Sequence, residues 1–314
     1  MAPFNLRGKR VFVAGHRGMV GSAVVRRLTS EDCEILTVPR QTVDLREQGA
    51  VNAWFEENRP QAIFLAAATV GGIYANDTRP GDFLFDNLAI ATNVIDAAYR
   101  FAAEKLMFFG SSCIYPRLAP QPIAEGALLT GPLEPTNEAY AIAKIAGLKL
   151  CEAYRRQHGC DFVSVMPTNL YGPGDNFDPL SSHVLPALLR RISEAALSGT
   201  PVVEIWGSGQ PRREFLHVDD LADASVFLMR HWSGDEHINI GFGSDVSIAE
   251  LATLIARIVG FGGDFVFDRT KPDGTPRKLL DVAKLTALGW QPRIELEPGI
   301  REVYAWYRGA SSRG

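Results

Sequence analysis

The run RVFVAGHRGMVGSAVVRRL, which begins at Arg10, narrows the possible folds more than any other part of the chain. A β-prone apolar stretch ends abruptly at a glycine, and glycines recur at Gly15, Gly18 and Gly21 before an amphipathic segment starts. A strand that turns this tightly into a helix opens a βαβ unit. The first half repeats the unit, with strands expected over 10–14, 34–38, 62–66, 105–109 and 161–166. Helices are expected between them over 19–30, 48–58, 82–103 and 137–158. Strands rich in Val, Ile and Phe, without polar alternation, need cover on both faces. The expected fold is therefore α/β, a doubly wound parallel sheet.

After Pro167 the texture changes. NLYGPGDNFDPLSS is a Gly/Pro/Asn-rich connection, followed by a helix over 183–197 and a strand over 202–206. The run EFLHVDDLADASVFLM reads as strand then helix and suggests a return to the first lobe. A helix over 248–259 and a strand over 264–268 complete a smaller C-terminal α/β lobe. The expected division is 1–167 plus about 214–245 for a dinucleotide lobe, and about 168–213 plus 246–314 for a substrate lobe. A chain of 314 residues, 46% hydrophobic, has enough apolar material for both.

Net charge of −4 argues against a nucleic-acid partner. The basic pairs Arg190-Arg191 and Arg212-Arg213 still suit a phosphorylated small molecule. Cys33, Cys113, Cys151 and Cys160 show no C-x-x-C spacing, so neither a metal site nor a disulfide framework is expected. MAPFNLRGKR runs into the first strand without an apolar leader, and AIFLAAATV is about half a bilayer span. A cytoplasmic protein without membrane contact is expected, in which the sequon Asn76-Asp77-Thr78 has no meaning.

In the loop Gly15-His16-Arg17-Gly18-Met19-Val20-Gly21, glycine lets the backbone approach a pyrophosphate seated on the following helix. His16 is expected to pack near the cofactor. The second strand ends in Arg40, with no carboxylate before Asp44, and Arg17 lies in the glycine loop. Guanidiniums there suit a 2′-phosphate, so the expected cofactor is NADP(H). In the helix over 137–158, Tyr140 and Lys144 are four residues apart and share a face. The ammonium is expected to lower the phenol's pKa and make Tyr140 a general acid/base. Ser111, in GSSCIYP after the fourth strand, adds a hydroxyl for a substrate carbonyl.

With GSSCIYP, EPTNEAYAIAKIAG, SVMPTNLYGPGDNF, SHVLPALLRR, REFLHVDD and KPDGTPRKLLD, the chain resembles the extended short-chain dehydrogenase/reductase family from 10 to about 306. The resemblance implies a Rossmann-type fold, and is strongest to a branch that epimerises C3 and C5 of GDP-4-keto-6-deoxy-D-mannose and reduces C4. It assigns Cys113 as epimerisation base, His183 as acid, Tyr140 as proton donor in reduction, and Lys144 and Ser111 as its support. Phe109, Gly110, Ser111, Ser112, Lys144, Pro167, Thr168, Asn169, Leu170 and His183 join the glycine loop, Arg40 and Asp44 as cofactor contacts. Arg191, Trp206, Arg213, Asp273 and Lys278 fall to the nucleotide sugar. A homodimer through the helices over 82–103 and 137–158 is implied too.

A dehydratase needs an acidic pair where Ser112-Cys113-Ile114 stands, and a 4-epimerase has no evident use for Arg40, Cys113 or His183. An enzyme acting on a 3-deoxy sugar is poorly separated by motif. A non-catalytic NADP(H) sensor would have little reason to keep both Tyr140 and Lys144. Thr69 and Gly174 depart from the family pattern without touching the proposed chemistry. Cys33, Cys151 and Cys160 read as small apolar residues, and His158, His231 and His237 as surface or structural. His217 reads as an anchor for the interlobe turn, with Asp219 and Asp220 capping the next helix.

Overall fold

The computed structural model describes residues 3–179, 181–271 and 273–311. The large sheet is built from β1 (Arg10–Ala14), β2 (Glu34–Leu36), β3 (Ala62–Leu65), β4 (Lys105–Phe109), β5 (Asp161–Pro167) and, after three further strands, β9 (Ile238–Ile240). The three in between are β6 (Asn169–Tyr171), β7 (Val202–Trp206) and β8 (Arg212–His217), and β10 (Asp245–Ser247), β11 (Asp264–Asp268) and β12 (Arg277–Lys278) follow. Helices α1 (Met19–Leu28), α2 (Gln48–Asn58), α3 (Ile73–Thr78), α4 (Pro80–Arg100) and α5 (Glu138–His158) belong to the first half. The second half carries α6 (Val184–Ser198), α7 (Val218–His231), α8 (Ile248–Val259), α9 (Ala283–Ala287) and α10 (Leu296–Ser311).

The large sheet is parallel throughout, in the order β2-β1-β3-β4-β5-β9. Side chains of β1 alternate between two cores. Val11 and Val13 join α1 and α7 on one face, while Phe12 and Ala14 join α2, α4 and α5 on the other. Burying a side chain such as Phe12 stabilises the fold by about 1.5–3 kcal/mol, so neither face of the strand tolerates polarity. Chain order reverses between β1 and β3. In a doubly wound sheet, ligands bind in the crevice beyond the strand ends at such a reversal.

The smaller lobe has its own core around Tyr171, Leu189 and Ile255. There β10, β8 and β12 form one sheet, with β6 pairing β8, and β11 pairs β7 separately. The return to the large sheet therefore comes later than the strand-then-helix reading of 214–229 suggests. β8 stays in the small sheet, and α7 and β9 make the return. The nearly buried Asp245 explains this, because it accepts from Arg212 Nε at 2.8 Å and Arg277 Nε at 2.5 Å and clamps β8 between β10 and β12. His217 itself caps α7, accepting from the Asp219 N–H at 3.3 Å. Asp220 instead accepts from the backbone of Arg293 and Ile294.

Candidate active site

A single cleft of about 1380 Å³ opens beyond the carboxyl ends of β1, β3 and β4 and runs into the smaller lobe. Its dinucleotide end starts at Gly15, whose φ of +86° suits glycine. A Cβ at Gly21 would stand 2.1 Å from the Gly15 carbonyl oxygen, so the loop folds tightly on the head of α1. That helix has no side-chain cap and no acidic residue in its first turn, leaving its N–H groups and positive dipole for an anion. His16, Arg17, Gly18, Met19 and Val20 line the same wall.

At the rim, Arg17 donates to Gln41 at 3.3 Å, and Arg40, largely exposed, lies 3.5 Å from Asp44. Arg46 grips Asp44 at 2.7 Å and Asp86 at 2.9 Å, and its hydrogen bond is the main reason the Asp44 carboxyl is held down at about 2. Arg46 lines the cleft and was missed by sequence reading, because nothing in DLR distinguishes it from a solvated arginine. Thr69 is anchored to Asp86 and Asn87, so its departure from the family pattern is absorbed by α4. These guanidiniums and the uncapped helix head fit a phosphorylated dinucleotide. Replacing Arg17 and Arg40 together by alanine is expected to weaken NADPH binding roughly 10- to 100-fold while leaving NADH unchanged, measured by fluorescence titration.

Where β4 ends, Ser111 is extended and its Oγ accepts from the Cys113 N–H at 3.4 Å, bending Ser112–Ile114 into a 3-10 turn. The turn is fixed from behind, where the Tyr115 hydroxyl meets His237 at 2.9 Å and Asn239 at 2.5 Å. Burial drives His237 down to about 4, so it is neutral. Its role is structural and interior. Lys144 donates to the Phe109 carbonyl at 2.8 Å and lies 5.7 Å from the Tyr140 ring centroid.

This placement corrects one expectation. Tyr140's pKa is raised, by burial first and by Cys113 second, and Lys144 does not offset the rise. The ammonium is braced on a carbonyl and faces the ring. Lys144 carries the shift instead, pulled down by burial to about 8. Cys113 is shifted in the same direction as Tyr140. Burial raises the thiol, and the opposing charges of Lys278 and Lys144 do not overcome it. His183 stands at the N-cap position of α6 without a side-chain capping bond and lines the cleft, and burial first and Lys278 second lower its pKa. Thiol and imidazole are thus both neutral at rest.

Arg191, Trp206, Arg213, Asp273 and Lys278 line the far end. Arg191 donates to the Glu204 carbonyl and Arg213 to the Arg212 carbonyl, and burial lowers the pKa of both. Lys278 is lowered for the same reason. Desolvated cations gathered on one wall gain from a dianion. The two basic pairs divide their work: Arg190 pairs with Glu194 and Arg212 with Asp245. Trp206 is 62% exposed, an open face for a ring to stack on. Asp273 takes Ser208 N–H at 2.6 Å and Ser208 Oγ at 2.8 Å, shaping the turn after β7. Phe109, Gly110, Ser112, Pro167, Thr168, Asn169 and Leu170 line the middle of the cleft. Among the described residues no cluster of His, Cys, Asp and Glu could hold a metal ion.

Residues 11–241 match the NAD dependent epimerase/dehydratase family. The chain belongs to that family. A GDP-L-fucose synthase of Sinorhizobium fredii is 57% identical over 304 residues, 97% of each chain. A GDP-L-colitose synthase of Yersinia pseudotuberculosis is 38% identical, covering 95% of this chain and 97% of the other. A crystal structure of a GDP-L-fucose synthetase from Naegleria fowleri bound to NADP superposes with a TM-score of 0.91 at 30% identity, covering 99% of this chain and 98% of that one. For this epimerase/dehydratase-family chain, sequence reading missed Asn76, Glu134 and Asn137 as lining residues. Asn137 lay in the quoted run EPTNEAYAIAK, but one helical turn before Tyr140 it gave no signal distinct from a helix cap.

Proposed function

We propose that the chain converts GDP-4-keto-6-deoxy-D-mannose to GDP-L-fucose by inverting C3 and C5 and then reducing C4 with NADPH. The observation that carries the reading is that Ser111, Cys113, Tyr140, Lys144 and His183 line one cleft whose two ends suit a dinucleotide and a diphosphate sugar. The similarity to GDP-L-fucose synthases over nearly the whole chain supports it.

The residues act in two stages. Moving one proton from Cys113 to His183 makes a base and an acid together, with no change in the cleft's net charge. Lys278 and Lys144 favour the thiolate so formed. The Cys113 sulfur removes the proton beside the carbonyl while Ser111 and Tyr140 hold the enolate oxygen. The His183 imidazolium returns a proton to the opposite face, which restores thiol and neutral imidazole. The glycine loop would hold NADPH, with Arg17 and Arg40 available to its 2′-phosphate, and the bound cofactor would supply the hydride for C4. Tyr140, kept protonated by its raised pKa, gives its phenolic proton to the C4 oxygen. The Lys144 ammonium stabilises the phenolate left behind.

Because that ammonium titrates near pH 8, it is present below this pH and lost above. kcat/KM for reduction is expected to fall about tenfold per unit as pH rises past it, and a flat profile to pH 10 would remove Lys144 from the step. The deciding experiment for the function is incubation with GDP-4-keto-6-deoxy-D-mannose and NADPH. NMR should identify a GDP-linked L-sugar inverted at C3 and C5.

We further assign the large sheet, with α7 and β9, to the cofactor and the small sheets to the sugar nucleotide. Two copies are proposed to join through α4 and α5, which pack side by side and expose Phe85 (66%) and Ile142 (43%). Introducing lysine at both positions is expected to halve the mass seen by light scattering. Among the described residues no helix is long and apolar enough to cross a membrane. Four free cysteines are in keeping with the reducing cytoplasm in which we place the protein.

A further inference from the structure

Asp44 lies beyond the end of β2, roughly 20 residues past the glycine loop, on the wall of the cleft's dinucleotide end. In a doubly wound sheet an acidic residue there accepts from a ribose 2′-hydroxyl, whereas an arginine there receives a 2′-phosphate. This chain places both kinds of residue together. Arg40 Nε lies 3.5 Å from Asp44 Oδ2, and Arg17 stands on the same wall. A carboxylate facing a phosphate is repulsive, so a site for NADP(H) that keeps Asp44 needs a charge to cancel it.

Arg46 is placed to supply it. Its Nε donates to Asp44 Oδ1 at 3.0 Å and its Nη2 to Oδ2 at 2.7 Å, a two-point grip on both oxygens. The Arg46 backbone N–H adds a third bond to Oδ1 at 3.0 Å. On its other side the guanidinium donates through Nη1 to Asp86 Oδ1 at 2.9 Å. Asp86, nearly buried on α4, also accepts from the Thr69 hydroxyl at 2.9 Å. The Asn93 amide of α4 donates to the Leu45 carbonyl at 3.1 Å, so the whole loop is pinned to that helix. Asp44 and Arg46 both line the cleft, with 26% and 31% of their side-chain surfaces open. What reaches the cleft at this point is an ion pair held in place, not a bare anion.

We propose that Arg46 sets the preference for NADPH over NADH by neutralising Asp44, which removes the repulsion that this carboxylate would exert on the 2′-phosphate. Arg17 and Arg40 then supply the attraction. Arg46 works through Asp44, so it is a positioning residue for cofactor choice. Without it, the charges of Asp44 and Asp86 would offset the two remaining guanidiniums. The freed Asp44 oxygens would then suit the 2′-hydroxyl of NADH. The assignment concerns the cofactor alone and does not depend on which sugar is reduced.

The test measures binding of NADPH and of NADH to the full chain by fluorescence titration, with no sugar present. Arg46→Gln, which removes the charge, is expected to bind NADPH roughly tenfold more weakly and NADH no more weakly than wild type. Adding Asp44→Asn should bring NADPH affinity back to within about threefold of wild type, because the repulsion goes with the carboxylate. Arg46→Lys, which keeps the charge without the fork, should retain most of the preference. Asp86 loses its cation in Arg46→Gln, so Asp44→Asn alone decides if that variant fails to fold. It should bind NADPH at least as tightly as wild type, and a loss beyond about threefold would overturn the assignment. So would an Arg46→Gln that weakens both cofactors alike, leaves NADPH unaffected or resists rescue by Asp44→Asn. These binding changes in a protein that fails to make the L-sugar would refute the proposed function and uphold this assignment.

Discussion

Tyr140→Phe is expected to slow C4 reduction by about 10²–10⁴-fold, the usual contribution of a positioned general acid. Removing one oxygen leaves the ring, its contact with Phe83 and the nearby ammonium in place. The variant should still exchange the C3 and C5 hydrogens with deuterium oxide within about tenfold of wild type, since only one of two hydroxyls on the enolate oxygen is lost. NADPH oxidation followed by absorbance, alongside NMR of deuterium uptake, separates the two steps. Equal loss in both would mean that the phenol is needed to form the enolate and is not a dedicated proton donor.

Cys113→Ser reverses that pattern. The alcohol is far less acidic than the thiol, so deuterium uptake should fall by about 10²–10⁴-fold. NADPH should still be consumed, because Ser111, Tyr140 and Lys144 are untouched. The product is then a 6-deoxy sugar with C3 and C5 unchanged, identified by NMR coupling constants. If the serine variant makes the doubly inverted sugar at the wild-type rate, the thiol only packs the turn behind β4. The raised pKa of Cys113 sharpens the test, because a resting thiol must first yield its proton before it acts as base.

The dinucleotide half was legible because its signals are local. Strand, glycine loop and helix follow one another between Arg10 and Leu28, and each is fixed by neighbours within a few residues. The Tyr140–Lys144 pair was legible for the same reason, and every residue assigned to the site lines the cleft. Properties set by distant parts of the chain were not. Lys144 braces on a carbonyl 35 positions away, and its burial among segments distant in sequence lowers its own pKa. Arg212 and Arg213 look alike in sequence, and only the pairing of β8 with β10 gives one to Asp245 and leaves the other facing the cleft. Helix α3 lacks an apolar period, and Asn76 within it read as an idle sequon. Its environment comes from the Gly71–Gly72 turn and from the neighbouring turn at Asn137.

Placing both pairs of reactive groups around one cleft has a kinetic consequence. The C4 carbonyl serves first as an electron sink for inversion at its neighbours and later as the electrophile that ends the sequence. Nothing in a shared cleft forbids the second event from occurring early. Stereochemical fidelity then becomes a race, set by how many inversions occur before reduction closes the ketone. Changes that speed reduction alone should lower product purity while raising turnover.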